Sequence, residues 1–501
     1  MDGFTFTPGR NCWRVELAER FAVIVDGADY FRALREALLL AEDVITLVGW
    51  DFAFEIEMLP GESDQNGNAP DSFPNQMGPF LDALAEHRRE LEIYLLKWSG
   101  GALIAPGGII PTAQIKLLSP EQVHLGFDGR HPVGACHHQK IVVVDDSLAF
   151  CGGIDVTHGR WDERGHPPQN PLRADENGKV AQPWHDVATM MSGPAAAALG
   201  HLCRARWQRA QDNEIAPAFR PGRERWPDSI SPDFTGIDIA IARTQPPEHD
   251  SPSVNEVERL YLDSIRTAKR FIYLESQYCC SDVIMAAIRR RLEEPDGPEI
   301  VIINPKAAQG VVEDEAMHVT RSRFIRELRR IDRHGRFRIM HPVNEGDEDI
   351  YVHAKVSIID DCFLRVGSSN IDRRSMGFDT ECDVAFLAAN DGDRQRIRDI
   401  RNGLLAEHLD CEIGEVAREI ERGGMISAIE TLNSDRGRRL SPIRPRKRES
   451  LLGSFLADTQ FFDPRYRRSA QARLGITSRH IMLGAAALAA GAYLLSRRRG
   501  R

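Results

Sequence analysis

Residues 137–145 read His-His-Gln-Lys-Ile-Val-Val-Val-Asp, and residues 353–360 read His-Ala-Lys-Val-Ser-Ile-Ile-Asp. In each, a histidine and a lysine two residues apart lead into a β-branched run that an aspartate closes. Such a run favours a strand. Side chains two apart on a strand share a face, so His138 and Lys140 are expected to point one way together, as are His353 and Lys355. Asp145 and Asp360 fall an odd number of positions beyond their histidines. They are expected on the opposite face, with a structural role at the turns Asp145-Asp146-Ser147 and Asp360-Asp361-Cys362.

Working outward, the flanks repeat as well. Phe31, Leu34, Leu38 and Ala41 recur at helical spacing ahead of the strand-like Val44-Ile-Thr-Leu-Val48. Val257, Leu260, Tyr261 and Ile265 do the same ahead of Phe271-Ile-Tyr-Leu274. Each motif is followed by a second apolar run, Leu148 to Cys151 or Phe363 to Val366, ending at Gly152-Gly153 or Gly367-Ser368. The expected fold is α/β, with two homologous halves. The boundaries read as 1–212 for the first half, 213–247 for a Pro-rich connection, 248–430 for the second half and 431–501 for a basic tail.

The 501 residues carry a net charge of −10, but from Arg436 onward Lys and Arg far outnumber the acids, so an acidic body bears a cationic tail. That asymmetry points to an anionic partner for the tail, a membrane surface before nucleic acid. The stretch RGRRLSPIRPRKR, residues 436–448, reads as too charged to pack. Residues 480–496 hold no charge and form a candidate membrane helix, slightly short of the ~30 Å hydrocarbon core. The start, MDGFTFTPGRNCW, has no secretory pattern, which implies a cytoplasmic protein that associates with membranes through its tail. Nine cysteines without regular spacing read as buried free thiols.

Two histidines, two lysines and no cluster at metal-ligand spacing suit a phosphodiester. The lysines would hold non-bridging oxygens, one imidazole would attack phosphorus and the other would protonate the leaving oxygen. A lysine beside each histidine repels a divalent cation, so no metal and no cofactor are expected.

The paired HxKxxxxD motifs resemble the phospholipase D superfamily, and the flanks resemble its phosphatidylcholine-type, plant-like members. In the first half these are Gly152-Gly-Ile-Asp155, Gly159-Arg-Trp-Asp162, Pro183-Trp-His-Asp186, Ser192-Gly-Pro194 and Arg206-Trp207. In the second they are Ile272 to Tyr278, Ile350 to Lys355, Gly367-Ser-Ser-Asn370, Arg374-Ser-Met376 and Asp379-Thr-Glu381. The resemblance spans about residues 40 to 390. It implies two α/β sandwich halves related by a pseudo-two-fold, with the active site at their interface. It also implies hydrolysis of a phospholipid through a phosphohistidine, with transphosphatidylation when an alcohol competes. The catalytic set it implies is His138, Lys140, Asp145, His353, Lys355 and Asp360, with His138 as nucleophile and His353 as general acid. Asp186 and Glu381 would orient the histidines, while Lys140, Lys355 and Asn370 would bind phosphate. Asp155 stands where the first half would have the counterpart of Asn370. With the first motif strand so near the start of the sequence, the N-terminal C2 domain of the plant pattern is not expected.

A cardiolipin synthase shares the duplicated motif, but paired membrane helices would be expected where this chain has GRNCWRVELAERF. A nuclease would use the same chemistry, yet an acidic body is a poor groove for a polyanion. A catalytically dead membrane adaptor is at odds with two intact motifs. The polar, Pro-rich residues between Asp162 and Trp184 read as a loop at the mouth of the cleft.

Overall fold

The computed structural model describes residues 3–100, 119–132, 134–175, 178–219, 225–247, 252–309, 311–446, 449–460 and 463–464. The candidate membrane helix at 480–496 lies outside them. Among the described residues, no helix is long and apolar enough to cross a membrane.

The first half comprises β1 (Arg14–Val25), α1 (Gly27–Leu39), β2 (Val44–Gly49), α2 (Met77–His87), β3 (Glu92–Trp98), β4 (Val123–Asp128), β5 (Ile141–Val144), β6 (Leu148–Gly152), β7 (Trp184–His185), β8 (Val187–Ser192) and α3 (Pro194–Gln211). The second comprises β9 (Phe234–Gln245), β10 (Val254–Asn255), α4 (Glu256–Thr267), β11 (Phe271–Glu275), α5 (Asp282–Glu293), β12 (Glu299–Ile303), α6 (Val311–Ile331), β13 (Phe337–Val343), β14 (Tyr351–Val352), β15 (Val356–Ile359), β16 (Phe363–Gly367), β17 (Glu381–Leu387) and α7 (Asp391–Leu409). Both expected helix-strand pairs are present, as α1 with β2 and α4 with β11.

One mixed sheet runs through both halves. From its middle, β1-β8-β6-β5-β2-β3-β4 leads one way and β9-β17-β16-β15-β11-β12-β13 the other. The two sequences of strands match position for position. In each arm the outer three strands are parallel and the rest antiparallel. Helices cover both faces. α1 and α2 pack on one face of the first arm and α4 and α5 on the corresponding face of the second, while α3 and α7 share a continuous core on the other side. Buried on both faces, β2 reads Val-Ile-Thr-Leu-Val-Gly, without the alternation of a half-solvated strand.

Two expectations need correction. The stretch read as a connection, 213–247, contains β9, one of the two central strands. Its Ile237, Ile239 and Ile241 alternate into the core, a period-two signal masked by the neighbouring prolines and charges. Nor is the start of the basic tail too charged to pack. Residues Arg439–Pro442 form β18 on the edge of β13, burying Leu440, with Ile443 buried just beyond. Arg439 pairs with Asp347, and Arg438 donates to the Glu407 carbonyl at 2.7 Å. All nine cysteines are free, eight of them buried and Cys411 partly so.

Candidate active site

Each motif histidine reaches the site on a segment that enters its strand rather than within it: β5 begins after Lys140 and β15 after Lys355. These entry segments pair with backbone from the opposite half. His138 N–H donates to the Thr380 carbonyl and Thr380 N–H to the Cys136 carbonyl, both at 3.1 Å. His353 N–H donates to the His185 carbonyl and Tyr351 N–H to that of Pro183, both at 2.8 Å, where β7 and β14 pair in parallel. The residues that follow these contacts, Glu381 and Asp186, are thereby delivered to the histidines of the other half.

His138 Nδ1 lies 3.0 and 3.1 Å from the two Glu381 oxygens, and His353 Nδ1 lies 2.6 Å from Asp186 Oδ2. Nδ1–H donated to a carboxylate leaves Nε2 as the working atom of each ring. Glu381 also accepts from the hydroxyls of Ser368 and Ser375. Burial, then Lys140 and Lys355, holds the His138 imidazole well below its ordinary range, which favours the neutral ring a nucleophile needs. Burial, then Lys355 and Arg160, does the same to His353. Burial raises Glu381 to about 8 against the pull of its two serine partners. It raises Asp186 as well, in part offset by Lys355.

The lysines differ. Lys140 Nζ lies 3.0 Å from Asp155, while Lys355 Nζ contacts the His353 carbonyl and, at 3.4 Å, the Gln277 amide oxygen. Burial therefore lowers Lys355 to about 7. Asn370 Nδ2 reaches the same Gln277 oxygen at 3.5 Å, and its own Oδ1 is buried without a hydrogen-bond partner. An anionic oxygen placed here would complete the second-half cation, whereas Asp155 already neutralises the first.

Asp145 and Asp360 stand apart from this site, which corrects their inclusion in the catalytic set and agrees with their expected place at the turns. Asp145 accepts the N–H groups of Glu42, Asp43 and Val44, each at 2.8 Å, and pairs with Arg225. Asp360 accepts those of Lys269, Arg270 and Phe271 at 2.6–2.8 Å. Each fastens the loop that feeds β2 or β11.

A cleft of about 1180 Å³ leads toward the histidines without being lined by them. Trp184 and Tyr351 form its inner wall, stacked 4.7 Å apart, and the Trp184 ring lies 5.0 Å from that of His353. The Arg160 guanidinium covers Trp184 at 4.1 Å. Much of the segment between Asp162 and Trp184, from Pro171 to Gln182, also lines the cleft. Trp184 and Arg160 belong to stretches singled out in the sequence, yet nothing there marks them as cleft wall. Ser368 and Ser375 lie within the stretches Gly367-Ser-Ser-Asn370 and Arg374-Ser-Met376, but nothing in the sequence ties them to Glu381.

A family profile described as "Cardiolipin synthase, PLD-like domain" matches residues 261–394. Phospholipase D A of Dictyostelium discoideum is 24% identical over 436 residues, covering 74% of this chain and 33% of that protein. Phospholipase D alpha 1 of Carica papaya is 24% identical over 396 residues, 54% of this chain and 49% of its own length. Phospholipase D1 of Saccharomyces cerevisiae is 23% identical over 494 residues, 78% of this chain and 29% of its own. The chain thus spans half or less of the length of these relatives. In fold it is similar to a phosphatidylserine synthase of Haemophilus influenzae, with TM-score 0.56 at 12% identity over 89% of this chain and 94% of that one. The chain belongs to the phospholipase D superfamily. Its fold is α/β.

Proposed function

We propose that this chain is a phospholipase D, cleaving the distal phosphodiester of a glycerophospholipid such as phosphatidylcholine. His138 Nε2 attacks phosphorus, the bond to the headgroup oxygen breaks, and His353 gives that oxygen its proton. Water or an alcohol then attacks the phosphohistidine while His353 takes up its proton, and the P–N bond breaks to release phosphatidic acid or a new phosphatidyl ester. Lys355, Asn370 and Lys140 neutralise the non-bridging oxygens as charge builds. The observation that carries this reading is the exchange of acids between halves, which fixes both imidazoles with Nδ1 occupied and Nε2 free. The remaining cationic tail would bring the acidic body to a membrane from the cytoplasmic side.

Incubation with phosphatidylcholine and ethanol tests it. Phosphatidylethanol and free choline are expected, and neither from His138→Asn; oligonucleotide cleavage without lipid turnover would overturn the assignment. A second reading, phosphatidyl transfer of the cardiolipin synthase kind, has support in the profile matched over 261–394. Cardiolipin formed from phosphatidylglycerol in preference to phosphatidylethanol from ethanol would select it.

A further inference from the structure

Behind the catalytic pair lies a second group of polar side chains that the reaction above does not use. His166, His185, Asp26 and Glu407 converge there, each side chain at most 2% exposed. Asp26 is the single residue between β1 and α1, His166 belongs to the segment between Asp162 and Trp184, His185 is in β7 and Glu407 sits on α7 of the second half. His166 Nε2 lies 3.4 Å from Asp26 Oδ2 and 3.3 Å from Glu407 Oε1, and His185 Nδ1 lies 3.1 Å from Asp26 Oδ1 and 2.8 Å from Glu407 Oε1. A tetrahedral zinc with bonds of about 2.0–2.1 Å to nitrogen and oxygen has ligand-to-ligand edges of about 3.3–3.4 Å. Two of the observed spacings equal that value and the other two are shorter by about 0.2–0.6 Å.

The outer nitrogens argue the same way. His166 Nδ1 is 2.9 Å from Asp162 Oδ2, an acid held by Arg173 and by the Trp184 N–H. His185 Nε2 is 2.9 Å from Glu275 Oε2, whose other oxygen contacts His408 and the Tyr273 hydroxyl. When each ring donates its outer N–H to a carboxylate, its inner nitrogen presents a lone pair. That is how metal-bound histidines are oriented. Here the inner lone pairs face two carboxylates, an arrangement that repels unless two protons or one dication intervene. His185 Nδ1 and Asp26 Oδ2 are also buried without a hydrogen-bond partner, although oppositely charged atoms lie close by. Of the four inner contacts only His166 Nε2 with Glu407 Oε1 meets hydrogen-bond geometry; the other three are close without that alignment, as ligands aimed at a common point would be.

We propose that Asp26, His166, His185 and Glu407 form a closed structural site for zinc, or a transition-metal dication of similar size, that clamps α7 of the second half to the first. Calcium and magnesium require more oxygen ligands than the cluster offers. Binding exchanges two imidazole protons for the metal, so the buried charge stays balanced either way. The site would also brace catalysis: Asp26 Oδ1 accepts from the Asp186 N–H at 3.0 Å, and the His185 carbonyl accepts from the His353 N–H.

Elemental analysis of the untagged full chain, grown in zinc-supplemented medium and dialysed without chelator, is the test. About one zinc per chain is expected, lost only when a chelator is combined with mild denaturant. Its loss lowers Tm, and added Zn²⁺ restores it. Cobalt in its place should give the strong visible absorption of a tetrahedral site. Glu407→Gln and His166→Gln, checked by circular dichroism, should be folded and hold little zinc. Asp162→Asn, which leaves the four ligands in place but weakens the outer partner of His166, should lower affinity by about 10–100-fold. Folded full-length protein with far less than one metal per chain and no rise in Tm on adding Zn²⁺ would overturn the proposal and leave a proton-balanced ion network.

Discussion

Glu381 lies 3.0 Å from Nδ1 of His138, although 243 residues separate them. The acid belongs to β17 of one half and the imidazole to the entry of β5 in the other, so the nucleophile's tautomer depends on contact between halves. Glu381→Gln keeps the shape of the contact but removes the carboxylate. A fall in kcat of about 10²–10⁴-fold with KM little changed is expected, and steady-state kinetics on phosphatidylcholine vesicles would measure it.

The pH profile of kcat/KM follows from two groups in the free enzyme. The acid limb reflects loss of the proton that Glu381, raised to about 8, holds beside His138. The alkaline limb reflects loss of charge from Lys355, lowered to about 7. A narrow bell with its summit between these values is expected. In Lys355→Arg the alkaline limb should move to higher pH, because a guanidinium stays charged; an unmoved limb would assign it to another group.

Stability should carry a separate mark of Glu381. Its folded value lies above its ordinary 4.5, so between about pH 4.5 and 8 the folded state binds more protons than the unfolded, and its contribution to stability falls as pH rises. Denaturant titrations of Glu381→Gln across that window should show a flatter dependence on pH than those of the unaltered chain.

The two motif aspartates should affect folding far more than chemistry. Asp145→Asn weakens three backbone contacts and deprives Arg225 of a buried partner, at a cost of about 2–4 kcal/mol. Asp360 serves three N–H groups in a more exposed setting and, among the described residues, pairs with no arginine, so Asp360→Asn should cost about 1 kcal/mol. Activity per folded molecule is expected to survive both, as parallel unfolding and turnover measurements would reveal.

Gly153 illustrates a close approach. A Cβ there would stand 2.1 Å from Asp186 Oδ1, so Gly153→Ala must push aside the acid that holds His353. A loss of roughly 100-fold in kcat is expected from such a displacement. The equivalent change Gly367→Ala meets the Asp383 backbone as well as its side chain and should instead lower Tm.

What could be read in the sequence was whatever sits within a few residues of its own chemistry. His138 with Lys140 and His353 with Lys355 announce themselves through repeated spacing, and the helix-strand flanks repeat with them. The acids came only through likeness to a family, because nothing local ties Asp186 to His353 or Glu381 to His138. Asp26 and Glu407 were beyond reach, since only the sheet register brings the end of β1 beside α7. β9 was lost among prolines that suggested a tether, and β18 among arginines that suggested solvent.

The strands β1 and β9 are neighbours over seven residue pairs, from Arg14 with Ile241 to Phe21 with Phe234. A hinge at this seam would have to tear this ladder, interrupted only opposite Glu19, which opposes any jaw-like opening of the halves. On the proposed reaction, entry and exit fall to the loops around the cleft, with turnover paced by how fast they let a product go.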